Sequence, residues 1–370
     1  MKDIPHDHTS FSGSYAQGDI DFLLKEVQIQ ATGIDEKESA IQSGARHYSE
    51  MISDEARPDE LYMLIFGQAW AAGADRIARE VNAIADAIVE RIAAGKLCEQ
   101  VTLCSLVRAG APLGVLLNRA LKDRHVDVAH FGISIIRDKG LDANAMRHVM
   151  ERRPAEGILF IDGWTGKGAI AKELHRSWMP MSGLDPFLIV LADPCGMADL
   201  AGSHEDWLIP SGILGANVSG LISRSILNAD VIGPDDFHGY IPVTHLADID
   251  CSAAFVDKIH DRMKTCEKVK PVGHVIEPGA SLRLRRQSFE TVQSLMELFE
   301  TTNSNRIKPG IAEATRAVLR RKPHHVLLSS RDDEDLAALI HLCVGQGVEW
   351  SVRPDLTGPY RAITIIEKVS

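Results

Sequence analysis

Between residues 101 and 192, short apolar runs alternate with helix-patterned segments, and this alternation limits the fold more than any other feature. The runs 101–107, 126–136, 158–162 and 187–192 read as strands; 113–121 and 169–178 read as the helices between them. Such β-α alternation predicts an α/β protein with a mostly parallel sheet covered by helices. Upstream, residues 61–94 form one long Ala-rich pattern with helical apolar spacing, with Gly73 and Gly95 near its breaks. Residues 207–265 carry short strands and helices around Gly- and Ser-rich turns, and Lys268 to Gly273 reads as a boundary. The alternation then restarts. A helix over about 285–301 and another running from Pro309 to near Arg321 precede a strand at 325–329, a helix at 335–343 and strands near 349–352 and 362–366. The expected organisation is a helical region over 1–100 packed on the core, an α/β domain over 101–267 and a small α/β domain over 274–370.

Charge separates these parts. The chain of 370 residues carries a net −11, but residues 271–370 hold 13 Lys and Arg against 12 Asp and Glu, so the acidity lies in the first part. A net negative chain is a poor general binder of nucleic acid, whereas the tail keeps basic clusters at Arg283, Arg285 and Arg286 and at Arg316, Arg320, Arg321 and Lys322. Such clusters also suit a solvated helix face. The first residues lack the basic start and apolar run of a signal peptide, and no apolar stretch approaches the ~20 residues that span a bilayer. Six scattered cysteines without a CxxC pair fit a reducing cytoplasm and argue against a zinc ribbon or a disulfide framework.

Two strand-to-helix turns carry the chemistry. In Ile158-Leu159-Phe160-Ile161-Asp162-Gly163-Trp164-Thr165-Gly166-Lys167-Gly168-Ala169, an apolar strand ends in an acid and a Gly-rich turn opens a helix. Open α/β sheets bind ligands at the carboxyl ends of their strands, and the backbone N–H groups of such a turn suit an anion. Gly163, Thr165, Gly166, Lys167 and Gly168 are the expected phosphate and ribose contacts, with Asp162 facing sugar hydroxyls. This is no Walker A loop: Ile161 stands where its first glycine belongs, and Gly168 where its Ser or Thr belongs. The second turn, Arg108-Ala109-Gly110-Ala111, is placed to hold a pyrophosphate at a helix start.

Other polar groups admit two readings each. Arg137, Asp138 and Lys139 form either a hood over the site or a charged turn. Ser223 and Arg224 either line the acceptor side or serve structure. Residues 235–240 with His245 supply acid and base groups or a surface turn. Cys195, with His204 downstream, and Cys251, after His245 and Asp250, are the candidate nucleophiles of a thiol hydrolase, but neither matches a local protease signature.

The two loops together resemble the type I phosphoribosyltransferases, and Arg108-Ala109-Gly110 resembles the pyrophosphate loop of the uracil-specific branch; Gly163 stands where that family has a second acid. The chain resembles more closely a bacterial family found near tellurite-resistance and stress genes, labelled phosphoribosyltransferase-like or cysteine protease StiP. The matching stretches are residues 11–15, 105–114, 134–140, 162–168 and 211–228. In the tail, Gly310, Glu313 and Thr315, with Arg316 in place of a lysine, resemble the RNA-contacting segment of Pelota-type domains; Ala312 replaces its asparagine. These resemblances imply a cytoplasmic phosphoribosyltransferase-like enzyme. It would bind phosphoribosyl pyrophosphate or a nucleotide-like ligand with Mg2+, with Asp162 and Arg108 as catalytic groups and an unknown acceptor. They also imply contact of structured RNA with Gly310, Glu313, Thr315, Arg316, Arg320 and Arg321. No membrane association is expected, and a homodimer is the oligomer it admits. A non-catalytic nucleotide sensor is the runner-up and the thiol hydrolase the third reading.

Overall fold

A computed structural model describes residues 11–266 and 278–368; the expected boundary at Lys268 to Gly273 lies outside them. In chain order the strands are β1 (Asp21–Phe22), β2 (Lys25–Glu26), β3 (Gln100–Leu106), β4 (Asp127–Ile133), β5 (Ile135–Ile136), β6 (Gly140–Leu141), β7 (Ile158–Ile161), β8 (Leu188–Ala192), β9 (Leu200–Ser203), β10 (Gly239–Tyr240), β11 (Ile307–Pro309), β12 (Pro323–Leu328), β13 (Trp350–Val352) and β14 (Ala362–Ile366). The helices are α1 (Ile34–Gln42), α2 (Glu60–Ala93), α3 (Ala111–Asp123), α4 (Ala143–Met150), α5 (Ala169–Ser182), α6 (Pro210–Ile213), α7 (Ser252–Thr265), α8 (Pro278–Leu298), α9 (Ile311–Arg320), α10 (Ala337–Gln346) and α11 (Pro354–Thr357).

The main sheet has the order β1-β4-β3-β7-β8-β9, and every neighbouring pair in it is parallel. Its central strands β7 and β8 are apolar throughout because both faces are covered. Leu103, Leu159, Ile189 and Leu191 face a core shared with α2, α3 and α7; Cys104, Phe160, Leu188 and Val190 face α4 and α5, where Met146, Leu174 and Trp178 are buried. This is the two-residue alternation of a strand read on two packed layers. The first hundred residues are more than helices: β1 forms the sheet edge beside β4, and the 34-residue α2, capped by the Asp59 carboxylate on Tyr62 N–H, spans the first layer.

The C-terminal module is a four-stranded mixed sheet, β11-β14-β12-β13. Val292 and Leu295 of α8 cover one face with Ile307, Leu327 and Ile363. On the other, Ile311, Ala314 and Val318 of α9 and Leu339 of α10 join the same apolar cluster as α2 and α3, so the module shares a core with the main body. Pro309 ends a strand instead of opening a helix. It lies on an edge strand, where its missing N–H costs nothing, and Gly310 at φ +92° turns the chain into α9.

Candidate functional site

The two expected loops lie side by side at the carboxyl end of the parallel sheet. Gly110 packs so closely on β7 that a Cβ there would stand 2.1 Å from the Ile161 carbonyl oxygen, and the Ala109 carbonyl faces Gly163. Their polar groups bond mostly to protein. Asp162 accepts from the Gly163 N–H at 2.8 Å, and burial raises its carboxyl to about 7. Thr165 donates to Asp193 at 2.5 Å. Lys167 reaches across to the carbonyls of Ser304 and of Ile307, the latter at 2.9 Å, while the Gly166 carbonyl accepts from the Tyr360 hydroxyl at 2.9 Å. Gly168, at φ +75°, leads into α5. Arg108 is buried and donates to the Ile222 carbonyl at 2.7 Å and to Glu55 at 2.6 Å. The C-terminal module therefore sits on the turn that sequence reasoning assigned to a phosphate.

Arg137, Asp138 and Lys139 form the turn of the β5–β6 hairpin. The Arg137 N–H donates to the Tyr48 hydroxyl and its guanidinium to Asn305; Asp138 and Lys139 are exposed. The Ser223 hydroxyl accepts from the Ile241 N–H. Arg224 donates to the carbonyls of Tyr48 and Met51, and among the described residues its Nη1 has no hydrogen-bond partner.

The face of α9 expected to meet RNA is turned inward. Asp206 of the main body caps the helix, accepting from the N–H of Ile311 at 3.0 Å and of Arg361 at 2.7 Å. A carboxylate there satisfies orphan N–H groups and the positive end of the helix dipole. Gly310 and Thr315 are buried, and Glu313 pairs with Lys308. Arg316 lies over the Trp164 ring, 4.8 Å from its centroid, and donates to the Gly212 carbonyl. Arg320 pairs with Glu55 and Arg321 with Glu38.

The thiols divide clearly. Cys104 and Cys343 are buried in the two cores, and burial pushes both thiols up, Cys343 to about 11. Cys251 donates to the Asn217 carbonyl, and burial with Asp250 beside it pushes its thiol up to about 12; His245 points away, to the Glu55 carbonyl. Among the described residues Cys195 alone shares a partner with a histidine. It sits in the β8–β9 loop, which the buried Asp193 carboxylate folds around itself. The carboxylate accepts from Thr165, from Met197 N–H at 2.9 Å and from Ala198 N–H at 3.0 Å, with the Cys195 Sγ 3.8 Å away. His204 Nδ1 lies 3.1 Å from the Asp193 carbonyl oxygen and 3.9 Å from its carboxylate. Burial, and then the Asp193 charge, raise the Cys195 thiol to about 12. Above the loop lies α8: Arg285 donates to the Gly196 carbonyl at 2.6 Å, and Ser281 and Leu284 crowd Gly196.

Residues 13–260 match the family described as Tellurite-like stress resistance cysteine protease StiP, and residues 286–368 match the PELOTA RNA binding domain. The chain is 43% identical over 371 residues to "Cysteine protease StiP" of Acinetobacter baylyi, covering 97% of this chain and 95% of that protein. The chain belongs to this family. Solved structures with some likeness include the hypoxanthine phosphoribosyltransferase of Trypanosoma cruzi (16% identity, 35% of this chain and 77% of that one, TM-score 0.27) and the HGPRT-ase from Leishmania tarentolae in complex with GMP (17%, 36% and 72%, TM-score 0.26). Likeness that slight carries no argument.

These comparisons correct the expectation of a phosphoribosyltransferase. Near full-length identity to a protein named a cysteine protease outweighs two Gly-rich turns, and Thr165 and Lys167 are already bonded to Asp193 and to the C-terminal module. Cys195 and His204 are candidates from the sequence, whereas Asp193, in the same segment as Cys195, carries no role there; in the structure it contacts both. An acid directly after the apolar run 188–192 was the available signal. Glu55, Asp206 and Tyr48 gave none, because their partners lie far along the chain. Among the described residues no group of three or more His, Cys, Asp or Glu is placed to hold a metal, and no helix is long and apolar enough to cross a membrane.

Proposed function

We propose that this chain is a cysteine-dependent peptide hydrolase, with Cys195 as nucleophile, His204 as base and Asp193 as the residue that positions both. The observation supporting it is that Cys195 and His204 meet on one buried residue at the carboxyl end of the sheet, in a member of a family described as a cysteine protease. A carbonyl oxygen only accepts, so the 3.1 Å contact to Asp193 puts the proton on Nδ1 of His204 and leaves a lone pair on Nε2.

The chemistry is that of an activated thiol. Nε2 takes the Cys195 proton as Sγ attacks the peptide carbonyl carbon. The imidazolium returns that proton to the amine as the C–N bond breaks, leaving a thioester. Water then attacks the thioester, giving its proton to Nε2, and the acid leaves as the thiol is restored. Beneath α8 and beside a carboxylate the thiol holds its proton; substrate access requires the 281–285 segment to move from Gly196.

The test is peptide hydrolysis by the full chain and its Cys195→Ala, His204→Gln and Cys251→Ala variants. Loss of the nucleophile lowers turnover about 10⁴-fold or more, and loss of the base nearly as much. Cys251→Ala retains activity. Full activity of a folded Cys195→Ala would remove the proposal.

A further inference from the structure

On the other side of the 164–168 segment the molecule is hollow. A cavity of about 670 Å³ and an adjoining one of about 230 Å³ lie between the main body and α9. Ten lysines and arginines line them against five carboxylates, in a chain whose net charge is −11. Cations drawn inward against the overall charge require a counter-charge, because an unpaired buried charge is costly.

Several of these cations lack one among the described residues. Arg108 and Arg320 share Glu55, Arg321 has Glu38 and Lys308 has Glu313. Arg224, Arg316, Lys37 and Lys167 have no carboxylate within 4.0 Å among the described residues. They bond to carbonyls or, for Lys37, to the Ser53 hydroxyl at 2.7 Å. Burial and then neighbouring cations depress them: Arg224 to about 10, Arg316 to about 9 and Lys37 to about 8. Among the described residues, Nη1 of Arg224 and Nε of Arg108 find no acceptor.

Much of the rest of the lining is apolar, interrupted by Ser53, Asn217, Ser223, His245, His341 and Gln346. Ile34, Ile52, Ile213 and Leu342 contribute to the walls, and the Tyr48 ring lies 5.2 Å and 5.5 Å from the guanidinium carbons of Arg137 and Arg224. Single-carboxylate ligands would leave most of the positive excess unmatched. The volume is that of a small-molecule site. We propose that this cavity binds a small molecule carrying two or more phosphate groups on an apolar or aromatic body, the phosphates lying among Arg224, Arg316, Arg320 and Lys37. The site is separate from Cys195, and α9, from the Pelota-type module, supplies one of its walls.

The test is calorimetric titration and thermal melting of the full chain with ATP, inorganic pyrophosphate and adenosine. ATP and pyrophosphate bind and raise Tm, with affinity falling as salt rises; adenosine binds at least tenfold more weakly than ATP. Arg224→Gln and Lys37→Gln each weaken ATP binding about tenfold, while the exposed Arg286→Gln and the thiol-site Cys195→Ala leave it unchanged. If Arg224→Gln does not fold, Lys37→Gln decides, since glutamine removes the charge while keeping a polar donor on that side chain. Absence of binding by ATP and pyrophosphate at millimolar concentration overturns the proposal. So does equal affinity in folded variants and wild type, tighter binding of an oligoglutamate peptide than of ATP, or equal affinity for adenosine and ATP.

Discussion

The thiol site and the cationic cavity are neighbours built on opposite electrostatics. Both lie at the carboxyl end of the same parallel sheet, and the turn after β7 divides them: Thr165 reaches into one, to Asp193, and Lys167 lies toward the other. One C-terminal module covers both, with α8 over Cys195 and α9 over the arginines. Around Cys195 a buried carboxylate has its acceptor sites filled, and the thiol stays protonated. In the cavity the cations outnumber the carboxylates, and among the described residues Arg224 and Arg316 have carbonyl partners but no carboxylate. The first site is self-satisfied and closed, the second is incomplete by a negative charge. Carboxyl-end position on a sheet therefore fixes where chemistry can occur, while the surrounding side chains fix its sign.

The largest break in this comparison comes from Asp193. Asp193→Ala leaves two backbone N–H groups and the Thr165 hydroxyl without their acceptor inside the protein, which costs about 3 kcal/mol of stability by denaturant titration. An unchanged midpoint would show that the β8–β9 loop does not depend on this carboxylate. A smaller effect comes from the cover. Arg285→Ala removes the bond to the Gly196 carbonyl and accelerates iodoacetamide labelling of Cys195 roughly tenfold, as about 1.4 kcal/mol of charged hydrogen bonding is lost. The same variant leaves ATP binding in the cavity unaltered. Labelling at the wild-type rate would mean that α8 is held over the thiol by other contacts.

Much of the framework was legible. Strands β3, β4, β7 and β8 and helices α2, α3 and α5 follow from local apolar spacing, which is a property of adjacent residues. The turn 162–168 was recognised as strand-turn-helix for the same reason. Its partners were not, because Thr165 bonds to Asp193, Lys167 to Ser304 and Ile307, and Arg108 to Glu55 and Ile222, contacts that no local pattern encodes. Arg316, Arg320 and Arg321 read as a basic outer face. They turn inward because Trp164, Glu55 and Glu38 wait for them on the main body. The Cys195 and His204 pair was visible as residue types, but only the fold brings them onto Asp193.

The smallest effect concerns protons. Lys167, facing Lys308, Glu313, Arg137 and Arg321, is lowered to about 7, chiefly by burial. Lys37, facing Arg224, Arg321, Glu38 and Arg320, is lowered to about 8 by the same cause. The unfolded chain binds more protons at these two sites between about pH 7 and 10, so they make the unliganded protein gain stability as pH rises through that window. An anion in the cavity raises both lysines. ATP binding at pH 8 then takes up a fraction of a proton, read as a dependence of calorimetric heat on buffer ionisation enthalpy, and affinity declines above pH 8. Heat independent of buffer would place the phosphates away from these lysines. The thiol site contributes nothing to this exchange, since Cys195 stays protonated throughout.

The order of biosynthesis gives the shared cover a further meaning. Translation makes the β8–β9 loop well before α8, and Arg108 and Arg224 well before α9. A nascent chain that has emerged only through α7 carries Cys195 without its lid and the arginines without their opposite wall. In the finished fold the module both sheathes the thiol and walls the cavity. A chain cut between α7 and α8 keeps the thiol, His204 and Asp193 but lacks both the sheath and the α9 wall of the cavity.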